Sequence, residues 1–221
     1  MKLLNHYIDH TLLKPNATKN DIIKLCKEAI EHKFYSVCVN SGYVSLAQSQ
    51  LKSTNIKICS VVGFPLGAMS TKAKVEEAKT ALNDGAHEID MVINIGLLKS
   101  KDFDGVWKDI ESVKNIMPNK ILKVILETCY LEELEIIKAS ELAIQSGADF
   151  IKTSTGFGTA GATVHDIKLM KCVAKNEVKI KASGGIKDAK TALEYINLGV
   201  ERLGTSSGIE IVTGKSSNSK Y

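Results

Sequence analysis

Three phrases recur at the ends of amphipathic runs in this sequence: Asn83-Asp84-Gly85-Ala86, Gln145-Ser146-Gly147-Ala148 and Asn197-Leu198-Gly199-Val200. Each closes the run with a glycine and passes at once into a short apolar stretch. A glycine just past a helix supplies the left-handed cap that other residues adopt only at a cost. A helix stopped this abruptly against a strand is half of a βα repeat, and the rest of the chain keeps the same alternation. Strands are expected at Tyr7–Leu13, Tyr35–Val39, Lys57–Val62, Glu88–Ile93, Leu122–Leu126, Phe150–Thr153, Val178–Ala182 and Arg202–Gly204. Helical periodicity falls between them at Lys19–His32, Lys72–Gly85, Val106–Met117, Leu131–Ser146, Thr163–Lys175 and Lys187–Leu198. Ser70 and Thr71 are placed to cap the run after them, and Asp188 suits the start of the last one.

Eight strands repeating every roughly 22–34 residues fit a (β/α)8 TIM barrel of the α/β class slightly below its usual length. A doubly wound open sheet is the structural rival, but it would ordinarily carry five to seven strands. With 221 residues, 44% hydrophobic and 24% charged, the chain can bury about 70% of its unfolded surface without disulfides or a structural metal. No break in composition marks a linker, so residues 1–213 read as a single barrel domain and 214–221, rich in Ser, Lys and Asn, as a flexible tail.

Composition narrows the function classes. The net charge is +4, and of 29 basic residues only Arg202 is an arginine. A nucleic-acid reader relies on guanidinium forks for phosphates and guanine edges, so nucleic acid is not an expected partner. The five cysteines (Cys26, Cys38, Cys59, Cys129, Cys172) are odd in number and never spaced as C-x-x-C, which points to reduced thiols and a cytoplasmic setting. No signal peptide is visible at the N-terminus. Ile58–Met69, the most apolar stretch, is too short and too interrupted to span a bilayer, so no membrane association is expected.

In a barrel of this kind the strand C-termini and the loops after them form the reactive face. Lys152 stands near the end of one strand, before Ser154-Thr155-Gly156-Phe157-Gly158. Lys181 stands near the end of the next, before Ser183-Gly184-Gly185, and Asp90 lies within a third. Burial and a neighbouring ammonium both push a lysine toward its neutral amine, which attacks carbonyls to form a Schiff base. Two lysines with a carboxylate nearby thus supply a nucleophile, a perturber and a proton-transfer partner. Which lysine is the nucleophile stays open at this level. Lys179 shares the face of Lys181 and differs only in its position along the strand. The glycine turns at Gly184-Gly185 and Gly204-Thr205-Ser206-Ser207-Gly208 suggest an anion, since a phosphate site after strands seven and eight recurs in this fold.

Other patterns carry less. Gly156-Phe157-Gly158-Thr159-Ala160-Gly161 matches G-x-G-x-x-G, but Glu177, the only acid near the ribose-binding spacing, precedes its strand rather than ending it. His6 and His10 lack a further ligand set, so no metal is expected. They read as polar strand residues or active-site hydrogen bonders, and Cys38 as a core thiol.

Five segments together resemble the deoxyribose-phosphate aldolase family. They are Asp9-His10-Thr11-Leu12-Leu13, Val61-Val62-Gly63-Phe64-Pro65-Leu66-Gly67, Glu88-Ile89-Asp90-Met91-Val92, Phe150-Ile151-Lys152-Thr153-Ser154-Thr155-Gly156 and Lys181-Ala182-Ser183-Gly184-Gly185. The resemblance implies a class I aldolase of deoxyribose phosphate catabolism. It would cleave 2-deoxy-D-ribose 5-phosphate to D-glyceraldehyde 3-phosphate and acetaldehyde, without a cofactor, as a homodimer or homotetramer. It assigns the Schiff base to Lys152, proton transfer to Asp90, and pKa perturbation with a share of the proton relay to Lys181. Phosphate contacts carry over to Gly156, Gly184, Gly185, Gly204 and Ser206. Phe157 departs from members that place a lysine there, which shifts the phosphate contact to backbone amides and Lys187. Tyr221 matches the C-terminal tyrosine that assists proton transfer in some members. The rivals are a sugar-phosphate epimerase or isomerase using Asp90 as base, a non-catalytic phosphosugar-binding protein, and a metal-dependent aldolase.

Overall fold

A computed structural model describes residues 3–214. Eight parallel strands among them close into a barrel: β1 Ile8–Leu12, β2 Ser36–Val39, β3 Lys57–Val62, β4 Glu88–Val92, β5 Ile121–Ile125, β6 Phe150–Lys152, β7 Lys179–Ser183 and β8 Arg202–Thr205. Each pairs with its sequence neighbour, and β8 closes on β1 through Ile8 beside Leu203 and Asp9 beside Gly204. The helices are α1 Lys19–Glu31, α2 Val44–Leu51, α3 Thr71–Asn83, α4 Ile95–Lys99, α5 Phe103–Asn115, α6 Glu133–Gln145, α7 Val164–Ala174, α8 Ala189–Asn197 and α9 Gly208–Thr213. The open-sheet alternative is excluded by the β8–β1 pairing.

The expected caps are in place. Ser70 Oγ accepts from Ala73 N–H at the start of α3, and Asp188 from Thr191 N–H at the start of α8. Gly85, Gly147 and Gly199 all take positive φ, as the three repeated phrases require. Gly214 is the left-handed C-cap of α9, and residues 215–221 of the expected tail lie outside the described residues.

Strand alternation separates two interiors. Outward residues such as Ile8, Val37, Ile58, Ile89, Leu122, Ile151, Ile180 and Leu203 pack under the helices as one continuous apolar layer. Inside the barrel the apolar cluster is small, comprising Leu13, Cys38, Cys59 and Val61 with Phe64 against it. Charge dominates the rest of the interior: Asp9, Glu88, Asp90, Lys123, Lys152, Lys181 and Arg202 are all buried, alongside Ser36 and Phe150.

Another buried ion pair lies between the helices. Lys74 Nζ on α3 donates to Asp109 Oδ2 on α5 at 2.5 Å and to the carbonyl of Val92 at the end of β4 at 2.9 Å. Asp109 also accepts from Thr71 Oγ1 at 2.8 Å. Asp109→Ala leaves the ammonium buried without its partner and is expected to cost about 3–5 kcal/mol. The measurement is a denaturant midpoint lowered at unchanged slope. An unshifted midpoint would overturn this account of the pair.

Candidate active site

The register of β4 to β8 assembles the site. Lys152 on β6 stands directly beside Lys181 on β7, and Lys181 beside Arg202 on β8. Asp90 on β4 stands beside Lys123 on β5. Residues in register share a face of the sheet, so these side chains all turn into the barrel.

Asp90 is the hub. Its Oδ2 accepts from Lys152 Nζ and from Lys181 Nζ, each at 2.8 Å. Its Oδ1 accepts from Lys123 Nζ at 2.8 Å and from Cys59 Sγ at 3.1 Å. Burial opposes ionisation of this carboxyl, but the ammonium groups of Lys123, Lys152 and Lys181 together outweigh it and hold Asp90 well below the usual carboxylate range.

A second tier braces the first. Lys181 Nζ donates to Asp9 Oδ2 at 2.5 Å, and Arg202 Nη1 donates to Asp9 Oδ1 at 2.8 Å. Lys123 reaches Glu88 at 2.6 Å, and Arg202 reaches Glu88 at 3.2 Å. Burial again disfavours charge on Asp9, yet Arg202, Lys181 and Lys123 hold it below its ordinary range. The Arg202 guanidinium carbon stands 3.4 Å from the Tyr35 ring centroid, at the floor of the barrel. The chain's one arginine is therefore a buried structural cation.

From the sequence, burial and a neighbouring ammonium are expected to push a strand-end lysine toward its neutral amine, and at Lys181 the carboxylates around it reverse that push. Burial does act in that direction, but Asp9 and Asp90 outweigh it and raise the pKa of Lys181 above the ordinary value. Lys181 is a held cation. Across the interior, four cations (Lys123, Lys152, Lys181, Arg202) meet three carboxylates (Asp9, Glu88, Asp90). Lys123, Lys181 and Arg202 each reach at least two carboxylates, whereas Lys152 is bridged to Asp90 alone, by an oxygen it shares with Lys181. Lys152 also lines the open cleft at the barrel mouth, which Lys181 does not.

That cleft runs from Lys152 past Thr155 to Gly184, Gly185, Lys187, Gly204 and Ser206. Gly184 and Gly185 have φ of +83° and +77°, backbone that glycine adopts at little cost. Gly156 does not line it. It lies behind Gly184, where an added Cβ would stand 3.5 Å from the Gly156 Cα. Tyr221 lies outside the described residues.

Several other sequence candidates lie elsewhere. Lys179 is at the opposite end of β7, exposed and 3.7 Å from Glu201. His10 points outward from β1 to Glu28 on α1 at 2.8 Å, so it is no active-site hydrogen bonder, and His6 lines a pocket at the barrel's other end. Cys38 is a buried core thiol. Cys38, Cys59 and Asp90 converge closely enough to suggest a metal site, but Lys123, Lys152 and Lys181 already hold both oxygens of Asp90 and would repel a cation. The G-x-G-x-x-G segment is an irregular loop ahead of α7 rather than a tight strand-to-helix turn. Asp9, Glu88, Lys123 and Arg202 were missed as site residues. Glu88 and Asp90 share a strand face and Lys123 interrupts an otherwise apolar strand, but neither pattern says which face turns inward.

Comparison with known proteins extends this picture. Residues 3–213 match the model of the DeoC/LacD family aldolases. A protein of Finegoldia magna named deoxyribose-phosphate aldolase is 58% identical over 211 residues, which cover 96% of this chain and 99% of that one. The crystal structure of a putative deoxyribose-phosphate aldolase from Coccidioides immitis superposes with a TM-score of 0.94 at 42% identity, covering 96% of this chain and 86% of the other. The deoxyribose phosphate aldolase of Aeropyrum pernix, described as a unique tetrameric structure, gives 0.89 at 30% identity over 95% and 89% of the two chains.

Proposed function

Because this chain belongs to the DeoC/LacD family of aldolases, we propose that it cleaves 2-deoxy-D-ribose 5-phosphate through a Schiff base on Lys152. The products are D-glyceraldehyde 3-phosphate and acetaldehyde, and the reaction is reversible. The observation that carries the choice of lysine is that Lys152 alone of the three ammonium side chains lines the cleft.

In this reading Lys152 first gives up a proton to a cleft water, the free amine attacks C1 of the open-chain sugar, and loss of water gives an iminium. The C3 hydroxyl then gives up its proton, and the C2–C3 bond breaks with its electron pair moving into the iminium. Glyceraldehyde 3-phosphate leaves, and the enamine left on nitrogen is protonated at carbon and hydrolysed to acetaldehyde. The iminium draws electrons only as the bond breaks, so it stabilises the transition state more than the ground state. Asp90 Oδ2, bonded at 2.8 Å to both Lys152 and Lys181, is placed to pass a proton between them and a cleft water. Lys181, held charged by Asp9 and Asp90, keeps a cation beside the reacting nitrogen. Gly184, Gly185, Gly204 and Ser206 take the phosphate, with Gly156 supporting the Gly184 turn from behind. Lys187, also on the cleft wall, supplies the cation that Phe157 does not.

Two rivals fit less well. An epimerase acting without a covalent intermediate gives no role to an amine at the cleft mouth, yet Lys152 stands there, bonded to Asp90 at 2.8 Å. A metal-dependent aldolase would need a cation among three ammonium groups. We read the chain as a cytoplasmic homodimer or homotetramer acting in deoxyribose phosphate catabolism. The free state of all five cysteines and the tetrameric Aeropyrum pernix relative support that reading.

The test is intact mass and peptide mapping after incubation with acetaldehyde and borohydride. A reduced two-carbon adduct on the Lys152 peptide is expected. An adduct on Lys181 would reverse the two lysines, and turnover without any adduct would remove the Schiff-base mechanism.

A further inference from the structure

We propose that Glu127, which lies off the cleft, is a positioning residue for substrate binding that acts by clamping Thr155 in the cleft wall. The proposal rests on the aldolase reading above and adds a residue to it. Glu127 follows β5 and is only 2% exposed. Its backbone sits at φ 57°, ψ 62°, a conformation that strains a residue with a side chain. The other positive-φ residues besides glycine are Lys33, Lys101, Lys175 and Asn176, and none of them is buried. Strain at a buried position persists where the surroundings over-determine it, and here the side chain shows what it is held for.

The Glu127 carboxylate takes both polar groups of Thr155. Oε1 accepts the Thr155 N–H at 3.1 Å, and Oε2 accepts the Thr155 hydroxyl. The same Thr155 Oγ1 accepts from Phe157 N–H at 3.0 Å, so one carboxylate sets the path of the loop from Thr155 to Phe157. A carboxylate only accepts, which matches two donors on one residue; an amide would turn its own donor toward one of them. Gly158 presses on the same clamp, since an added Cβ would stand 2.6 Å from Cys129 Sγ and 3.3 Å from Glu127 Oε1. Next along the chain, Thr128 N–H donates to the Thr153 carbonyl at 3.0 Å. Thr155 faces the cleft together with Lys152, whereas Glu127 does not reach it. Glu127 therefore acts through Thr155 and has no direct share in the chemistry.

Glu127→Gln is expected to raise KM for 2-deoxy-D-ribose 5-phosphate about tenfold while kcat stays within about threefold. Glu127→Gly removes the carboxylate and also relieves the backbone. It should raise KM equally with a melting temperature no lower than the parent's, which a merely structural residue would not do. Thr155→Val should reproduce the KM rise, and the Glu127→Gln/Thr155→Val double variant should exceed neither single one. Borohydride trapping of saturating acetaldehyde, too small to need the loop, should proceed at the parent's level in the Glu127 variants. An unchanged KM in Glu127→Gln or Thr155→Val, or additive effects in the double variant, would overturn the proposal. Failure of the parent protein itself to form the adduct would instead overturn the aldolase mechanism beneath it.

Discussion

Lys152→Met is expected to retain less than about 1% of the parent's turnover of 2-deoxy-D-ribose 5-phosphate, because no other interior amine opens onto the cleft. The fold should survive. Removing this ammonium leaves three cations opposite three carboxylates, so the interior loses its unbalanced charge rather than a partner. The expected result is a soluble protein with a melting temperature at or above the parent's, no borohydride adduct and no turnover. Activity above that threshold in a folded variant would sink the assignment of Lys152.

Asp90→Asn should be damaging twice over. The amide keeps the shape but removes the charge that Lys123, Lys152 and Lys181 share, leaving four cations against Asp9 and Glu88. Breaking a buried ionic hub in this way typically costs about 3–5 kcal/mol. Loss of the proton carrier should lower kcat by about 10²–10⁴. Adding Lys123→Met to Asp90→Asn removes one stranded ammonium and should recover part of the stability without recovering turnover, which separates the two roles. The pH dependence follows from the direction of the shift. Asp90 and Asp9 are both held below their unfolded value of about 4, so their contribution is complete above that pH and is lost as pH falls further. In Asp90→Asn the acid limb of a stability–pH curve should be shallower. A limb of unchanged steepness would show that Asp90 is not the group that charges.

The barrel was legible because its punctuation is local. Gly85, Gly147 and Gly199 announce each helix end by themselves, and the eight strands follow from β-branched runs between them. Helices α2, α4 and α9 were not legible. At 8, 5 and 6 residues they are too short to establish a period, and packing rather than propensity holds them. In the site, Lys152, Lys181 and Asp90 stood out by position along their strands. Asp9, Glu88, Lys123 and Arg202 did not, because a lone charge in a strand reads as solvent-facing unless closure of the barrel is already known. Only the β8–β1 pairing brings Asp9 to Lys181 and Arg202, residues nearly the full length of the chain away. Glu127 was illegible for a different reason: its effect depends on a backbone angle no residue type announces.

The separation of an apolar outer layer from a charged interior has a consequence for how this scaffold can acquire new reactions. Volume is the constraint outside the sheet, where each substitution is felt by the helices. Inside, the constraint is the sum of charges, and single changes that move it further from balance are penalised whatever their size. Ancestors and designed descendants should therefore differ inside the barrel in coupled pairs, an acid and a base gained or lost together, while the outer layer drifts one residue at a time. Libraries that randomise interior positions singly would sample mostly broken barrels; libraries that exchange Lys123 with Glu88 as a unit would sample chemistry.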